Sequence, residues 1–294
     1  MVKVLGRLVI TIAAVAALAA CSSATLTRLA YSNASFAYSN FGAMVAWMVD
    51  DYVDLSNAQE DWLRERLTRA MDWHRAEELP RFRRFFEEAL AKSAAPFTAE
   101  DIAAKNSEIR AGYYRVMEQL IPDTAEFLGG MEPAQVAHME RKFAEENAKF
   151  VRDSIRGTPE ERRERRVRRF VNHLEAWVGP LDGEQRAIVD AHYREARDFA
   201  EEFLGERRFR QSEMLALARA HPPRAEIHAQ LKRLFIDVER WRRPYFASAW
   251  REREAKAYAM LAQLSGTLSP KQRAALQSRI RGFLHDISKL TTAN

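Results

Sequence analysis

A run of arginines near the middle of the chain is the feature with the clearest chemical potential. Within eight residues the sequence places six guanidinium groups, at Arg162, Arg163, Arg165, Arg166, Arg168 and Arg169. In a helix, Arg162, Arg166 and Arg169 share a face roughly opposite the apolar stripe of the same helix. That face is either a solvated surface, partly neutralised by neighbouring glutamates, or a strip that binds anions. For the second interpretation the candidate anion-binding residues are Arg162, Arg165, Arg166 and Arg169.

The partners that would suit this strip are anionic lipid headgroups, the phosphates of lipopolysaccharide or an acidic envelope protein. Each arginine near an anionic membrane surface adds about 1 kcal/mol of attraction, which salt screens. Nucleic acid is not expected as a partner. Loss of Lys3 and Arg7 with an N-terminal signal would lower the formal net charge from +5 to +3 in a chain that is 30% charged, and a dedicated nucleic-acid binder is far more basic.

Two other groups of side chains resemble metal sites only in part. His74 and Glu78 are spaced i, i+4 on one helical face and could supply two ligands, but no third or fourth ligand accompanies them. We therefore interpret His74 as a half-buried packing residue and predict no metal site. Asp50, Asp51 and Asp54 lack the glycine and ligand spacing of a calcium loop. Because acids at a helix C-terminus oppose the helix dipole, we expect an arginine of this chain to pair with them.

Motifs for nucleophilic catalysis are absent from the sequence. It contains neither a Gly-x-Ser-x-Gly elbow nor a phosphate-cradling glycine loop, and its single cysteine, Cys21, has a different predicted role. We therefore expect a protein that acts by binding, without catalytic residues or a cofactor. The alternative from another class is an enzyme whose catalytic residues form no recognisable motif.

The N-terminus has the features of a secretory signal. Two basic residues precede an apolar run over residues 8–20 that ends in small residues and Cys21. This run is too short to span a bilayer, which needs about 20 apolar residues. Leu18-Ala19-Ala20-Cys21 resembles the bacterial lipobox, in which the cysteine takes a diacylglycerol before cleavage ahead of it. The alternative is an ordinary cleaved signal followed by a chance cysteine.

A lipidated Cys21 would hold the protein to a bilayer, because two or three acyl chains bind a membrane stably. Ser22 follows where an aspartate would retain a lipoprotein in the inner membrane, so we expect the protein to lie at the periplasmic face of the outer membrane.

Residues 29–49 are apolar with scarcely a charge. We expect this segment to form a helix that packs on the body, with a position along the bilayer surface as the alternative. The predicted regions are a signal peptide (1–20), a lipidated N-terminus with its helix (21–54) and a helical domain (55–294).

The elements that must position these residues are all helices. Apolar residues recur at i, i+3, i+4 and i+7 almost throughout the chain, and alternating β-branched runs are absent. We predict an all-α bundle-like body, in which Pro80 and Pro244 kink or split their helices and Pro122 ends one. The predicted helices, about eight in number, are 25–53, 57–92, 99–121, 133–155, 159–178, 183–220, 224–264 and 270–291.

A short motif recurs where helices begin. A hydrophobe precedes a capping or acidic residue, and a glutamine follows three positions later. The four copies are 55–59, 131–135, 181–185 and 268–272, and a partial copy at Phe97 has Glu100 in the place of the glutamine. This pattern is typical of a capping box with a hydrophobic staple.

Two resemblances follow from these residues. Leu-Ser-x-x-Gln and Leu-Asp-x-x-Gln are similar to the Leu-Thr-x-x-Gln motifs of the Spy/CpxP periplasmic chaperones, which implies a small helical protein that holds unfolded clients on a curved surface. The lipobox, the segment 50–55 and the segment 73–80 resemble a family of proteobacterial lipoproteins of unknown function, most closely within residues 18–90. That second resemblance implies an all-helical lipoprotein, and we expect it to act by binding in envelope maintenance or stress.

Overall fold

The computed structural model describes residues 41–242 and 244–292, and in that part of the chain every regular element is helical. The all-α prediction is therefore confirmed. The predicted signal peptide, the lipobox, Cys21 and the first part of the predicted helix 25–53 lie outside the described residues. None of the helices in the described ranges is both long enough and apolar enough to cross a membrane.

The described residues form ten continuous helices, slightly more than the predicted eight. Two π turns, π1 (His74–Glu78) and π2 (Val151–Ile155), lie inside or at the end of a helix, and one 3-10 turn covers Val238–Arg240. In chain order the α-helical segments are α1 (Phe41–Val53), α2 (Asn57–Trp73), α3 (Leu79–Lys92), α4 (Ala99–Gly129), α5 (Pro133–Phe150), α6 (Pro159–Val178), α7 (Gly183–Glu195), α8 (Ala200–Ala220), α9 (Arg224–Phe235), α10 (Pro244–Gly266) and α11 (Pro270–Thr292).

Prolines act differently at three positions. The π1 turn precedes Pro80 and joins α2 to α3 without a break. Proline has no amide hydrogen to donate to the helix, and the irregular turn accommodates the missing hydrogen bond. Pro244 splits the predicted helix 224–264 and begins α10, where its fixed φ is favourable. The predicted end of a helix at Pro122 is wrong, because α4 continues to Gly129. Side chains on both sides of Pro122 are buried, and this packing outweighs a proline cost of about 3 kcal/mol.

The predicted helix 183–220 is also wrong, because it is interrupted between α7 and α8. Ala196 has an extended backbone, and the Asp198 carboxylate accepts a hydrogen bond from the Ala200 amide at 3.1 Å. Phe199 is 3% exposed and anchors the connection in the core. This α7–α8 loop places Asp198 beside the arginines of α6.

The core has two apolar clusters. The larger one surrounds the long helix α4, which packs against α8, α9 and α10, while α11 packs on α3. The smaller one joins α6, α7 and the end of α10 around Val171, Val189 and Leu264. Trp177 and Leu276 touch both clusters. The body is therefore held by apolar packing, which is the main favourable term in folding.

Helix α1 packs on α2 and α5, as predicted for the helix that follows the signal. Its acidic C-terminal end is satisfied within the chain. Asp50 accepts from the Leu55 amide at 2.9 Å, and Asp51 pairs with Lys142 at 2.7 Å, so the expected arginine partner is in fact a lysine. Asp54 adopts a left-handed φ of 61° that ends the helix.

Candidate anion-binding site

A shallow pocket of about 450 Å³ opens between the start of α6 and the α7–α8 loop. Its charged lining residues are four arginines and two acids, Asp198 and Glu160. We call it the basic pocket. The side chains that give it its charge and shape are Arg162, Arg163, Arg166, Tyr193, Arg194 and Asp198.

The start of α6 is fixed by its own capping residues. The Thr158 side chain and the Glu161 side chain form a reciprocal capping box, and Pro159 occupies the first turn. Gly157 has a φ of 97°, and a Cβ at that position would collide with the Glu161 carboxylate. The turn therefore needs glycine, and it sets the direction in which the arginines project.

A single carboxylate serves two arginines in the basic pocket. Arg162 Nε donates to Asp198 Oδ2 at 3.0 Å, and Arg166 Nη1 lies 2.7 Å from the same oxygen. The other oxygen of Asp198 accepts from the Ala200 amide at the start of α8. Arg162 also donates to the Ile155 carbonyl at 3.2 Å, which ties α6 to π2. The two arginines therefore carry one more positive charge than Asp198 supplies.

Further arginines lie behind the pocket wall and increase that excess. Burial, followed by repulsion from Arg165, lowers the pKa of Arg169, whose hydrogen-bond partner is the neutral Ser154 hydroxyl at 3.4 Å. Burial also lowers the pKa of Arg253, which lies 4.8 Å over the Trp250 ring. The repulsion from Arg165 and Arg166 that contributes to these shifts shows that positive charge is concentrated here, and a bound anion would offset it.

Tyr193 is the aromatic residue of the pocket lining. Its ring packs 5.8 Å from Phe170, and burial raises the pKa of its phenol. The phenol therefore stays protonated and can donate a hydrogen bond. Arg163 is engaged by Glu160 at 2.5 Å and by Asp190 at 3.4 Å.

The structure places the four predicted arginines in different surroundings. Arg162 and Arg166 line the pocket, Arg169 lies behind it, and Arg165 donates to the Arg156 carbonyl. The expectation of a solvent-facing strip is wrong, since the Arg162 and Arg166 side chains are only 24% and 17% exposed. The reason is that the α7–α8 loop folds over this face of α6.

Sequence reasoning missed Arg163, Tyr193, Arg194 and Asp198 as neighbours of this site. One signal was present, because Asp198 is a residue type that caps helices and it stands two positions before Ala200. That signal was hidden by the helical periodicity of the surrounding residues. The interruption at residues 196–199 is what turns Asp198 toward α6.

The alternative site at His74 and Glu78 is a buried structural pair. His74 is 2% exposed rather than half-buried, and burial lowers its pKa to about 4. Both oxygens of Glu78 accept from Arg115, at 2.7 and 2.8 Å, and Arg81 approaches at 3.4 Å. Across the two described ranges no group of three or more His, Cys, Asp or Glu side chains could hold a metal ion.

The recurring glutamines form two matched junctions. Gln59 and Gln135 exchange amide hydrogen bonds at 3.1 and 2.6 Å, joining the starts of α2 and α5. Gln185 and Gln272 do the same at 2.9 and 2.8 Å, joining the starts of α7 and α11. Each glutamine oxygen also completes its own capping box. We call these the glutamine junctions.

The partial copy of the motif behaves differently. Its reciprocal residue is Asp101, which bonds the Thr98 amide, so the assignment of Glu100 is wrong. A carboxylate has no N–H to donate, and Asp101 pairs instead with Lys92 at 2.8 Å. The glutamine is therefore what allows two capping boxes to join.

The fold and the pocket define an all-helical protein with a basic, partly enclosed surface site. The chain belongs to a family of unknown function, DUF6279, whose model matches residues 51–246. That range includes the basic pocket and the segment 73–80. No curated protein and no solved structure matches the chain.

Proposed function

We propose that this protein is a lipid-anchored component of the bacterial envelope that binds a phosphate-bearing anion in its basic pocket. The observation that carries the proposal is the sharing of Asp198 by Arg162 and Arg166, with Arg169 close behind. Arginine forks match the oxygens of phosphate, and such pairs are strong when partly buried. Headgroups of anionic lipid and lipopolysaccharide carry this chemistry at a membrane surface.

The anchor rests on the N-terminal sequence, with its basic start, apolar run and lipobox-like Leu18-Ala19-Ala20-Cys21. One feature of the described chain supports proximity to a bilayer. Trp47 on α1 is 67% exposed. Tryptophan is enriched at membrane interfaces, where its ring is apolar and its N–H remains hydrated. An outward Trp47 on the first described helix fits a body held close to lipid, facing the periplasm from the outer membrane.

The anchor is tested by replacing Cys21 with serine. We expect this variant to lose incorporation of labelled fatty acid and to accumulate as an unprocessed precursor, because the thiol that receives the lipid is missing. The measurement is metabolic labelling followed by gel mobility. As a matched control, Ser22→Ala should still be labelled and cleaved. Normal labelling and processing of the Cys21→Ser variant would show that Cys21 is not the residue that receives the lipid.

A Spy/CpxP-like chaperone is supported less well. Its clients would need a broad apolar surface, whereas the large hydrophobic side chains exposed in the described residues are Trp47 and Tyr245. The glutamines that carry the resemblance are engaged in the glutamine junctions. An enzyme remains the proposal from another class. Its chemistry would lie in the basic pocket, where Tyr193 and the neighbouring arginines converge.

Binding in the basic pocket is tested with two variants that should act in opposite directions. Arg166→Gln removes a cation and should weaken binding to phosphatidylglycerol vesicles by about tenfold, the equivalent of about 1.4 kcal/mol. Asp198→Asn removes the competing carboxylate, keeps an oxygen for the Ala200 amide, and should strengthen binding. Vesicle co-sedimentation at rising salt measures both effects, and salt should weaken every interaction.

The matched control is Arg168→Gln, which removes an exposed arginine from the same helix outside the pocket. It should bind almost as the parent does. Phosphatidylcholine vesicles and lipopolysaccharide serve as the neutral and the alternative anionic probes. Equal binding by Arg166→Gln, Asp198→Asn and the parent would remove the pocket from the proposal.

A further inference from the structure

Tyr193 and Arg194, in the last turn of α7, bring two unused donors to the basic pocket. Arg194 is exposed, and among the described residues no carboxylate forms an ion pair with it. The Tyr193 hydroxyl makes no hydrogen bond in the same part of the chain, and it is not sealed from solvent. Both groups therefore line an accessible cavity with their hydrogen-bonding capacity unused.

The charges of the pocket lining do not balance. Glu160 is engaged by Arg163 at 2.5 Å, and that contact, with a smaller effect from the charge of Arg194, lowers the pKa of Glu160. Asp198 balances one charge of the two α6 arginines that share it. The other charge of that pair and the charge of Arg194 are left over, which is an excess of two positive charges.

The charges just outside the lining increase this excess. Asp190 adds one acid beside Arg163, 3.4 Å away, whereas Arg169 and Arg253 add two cations within electrostatic reach of Asp198. A ligand with two negative charges is therefore stabilised more strongly here than a ligand with one, because the attraction grows with the charge of each partner.

Phosphate groups differ in this property. A phosphate monoester carries a charge of about −1.5 to −2 at pH 7 and has three strong acceptor oxygens. A phosphate diester carries one negative charge and lacks one of these terminal oxygens. The guanidinium groups of Arg162 and Arg166 can attract either group, and the donors of Tyr193 and Arg194 are available for the additional oxygen of a monoester.

The size and lining of the basic pocket limit what the phosphate is attached to. Its volume of about 450 Å³ lies within the range of pockets that hold small molecules. Its apolar members are Pro159 and Ala196, together with the ring of Tyr193, and this is too little apolar surface to cover an acyl chain. A phosphate with a compact polar substituent, such as a sugar, suits both features.

We propose that the basic pocket selects a phosphate monoester on a sugar-like group over a phosphate diester, and that Tyr193 and Arg194 make this selection. The inference rests on the proposed function, which requires only that a phosphate-bearing anion binds. Arg162 and Arg166 attract both kinds of phosphate, whereas Tyr193 and Arg194 bind the terminal oxygen that a diester lacks. A phosphorylated glycolipid headgroup and a soluble sugar phosphate share this chemistry.

Calorimetric titration of the full chain, kept in solution by a neutral detergent, tests the selection with two matched probes. Glucose 1-phosphate is a monoester, and its methyl diester differs from it by one methyl group, which removes a terminal oxygen and its charge. We expect glucose 1-phosphate to bind about tenfold more tightly, since a charge-assisted hydrogen bond is lost with the diester.

Two variants assign the selection to the α7 residues. Arg194→Gln and Tyr193→Phe should each weaken the binding of glucose 1-phosphate by about tenfold and that of the diester much less, so that the preference disappears. Arg166→Gln should weaken both probes alike, and Arg168→Gln should change neither. A merely structural role of Tyr193 or Arg194 would weaken both probes equally. Circular dichroism checks that each variant keeps the helical signal of the parent.

Lipopolysaccharide before and after phosphatase treatment separates the two sources of the group. Weaker binding after the monoesters are removed identifies a glycolipid headgroup, and unchanged binding alongside selective binding of glucose 1-phosphate identifies a soluble sugar phosphate. Either result supports the proposal.

Equal binding of the two glucose probes, still weakened by Arg166→Gln, would overturn the selection and leave the proposed function standing. Failure of both glucose probes to bind while phosphatidylglycerol vesicles still bind would also overturn the selection. A chain that binds neither the vesicles nor any phosphate probe would overturn the proposed function as well.

Discussion

Gln185→Ala should lower the free energy of unfolding by about 3 kcal/mol. Gln185 is fully buried, and its side chain contacts the Asp182 amide, the Thr267 carbonyl and the Gln272 amide. Removing it leaves the buried Gln272 amide without this partner, which costs about 1–3 kcal/mol, and the part-buried Asp182 amide and Thr267 carbonyl also lose theirs. The measurement is urea unfolding followed by circular dichroism, with the slope of the transition checked for change.

The matched control is Asp101→Ala. Asp101 has the same position in its capping box as Gln185 has in its own, but the box of Asp101 is not joined to a second box. There the loss should be about 1 kcal/mol, the usual value of a cap. The double variant of Gln185 and Gln272 should lose clearly less than the two single losses added together, because both residues serve one junction. Equal losses for Gln185→Ala and Asp101→Ala would contradict the role of the glutamine junctions.

Acid should destabilise the protein through His74. In the folded chain burial holds its pKa at about 4, against 6.5 for an exposed histidine. Between these two values the unfolded chain takes up a proton that the folded chain excludes, so stability falls as the pH is lowered from 6.5 to 4. The difference of about 2.5 pKa units corresponds to about 3 kcal/mol. Above pH 6.5 this residue adds no pH dependence, and below pH 4 its contribution levels off.

His74→Leu removes the titrating group. Within this window it should reduce the slope of unfolding free energy against pH by an amount that corresponds to close to one bound proton. Denaturant unfolding at half-unit steps from pH 4.5 to 7 measures the slope. Replacing His285, which is exposed on α11, should leave the slope of the parent intact. An identical slope in His74→Leu and the parent would assign the acid sensitivity to other groups.

The sequence by itself determined the helical class and most helix starts. Capping residues and apolar spacing act within a few positions of one another, so α2, α5, α6, α7 and α11 begin where their motifs predict. The same local signals placed Gly157 and Gly179 between helices. They also marked the arginines of α6 as the chemically distinctive residues of the chain.

Tertiary structure alone decided which of these elements meet. The four glutamines have the same local pattern, yet the pairing of Gln59 with Gln135 and of Gln185 with Gln272 spans 76 and 87 residues. Helix α4 runs through Pro122 because packing on both sides outweighs a local penalty. The periodicity placed Arg162 and Arg166 on one face correctly, but their burial depends on a loop that folds back from residues 196–199. Long-range packing carries several kcal/mol at such positions, which exceeds the local preferences that a sequence pattern expresses.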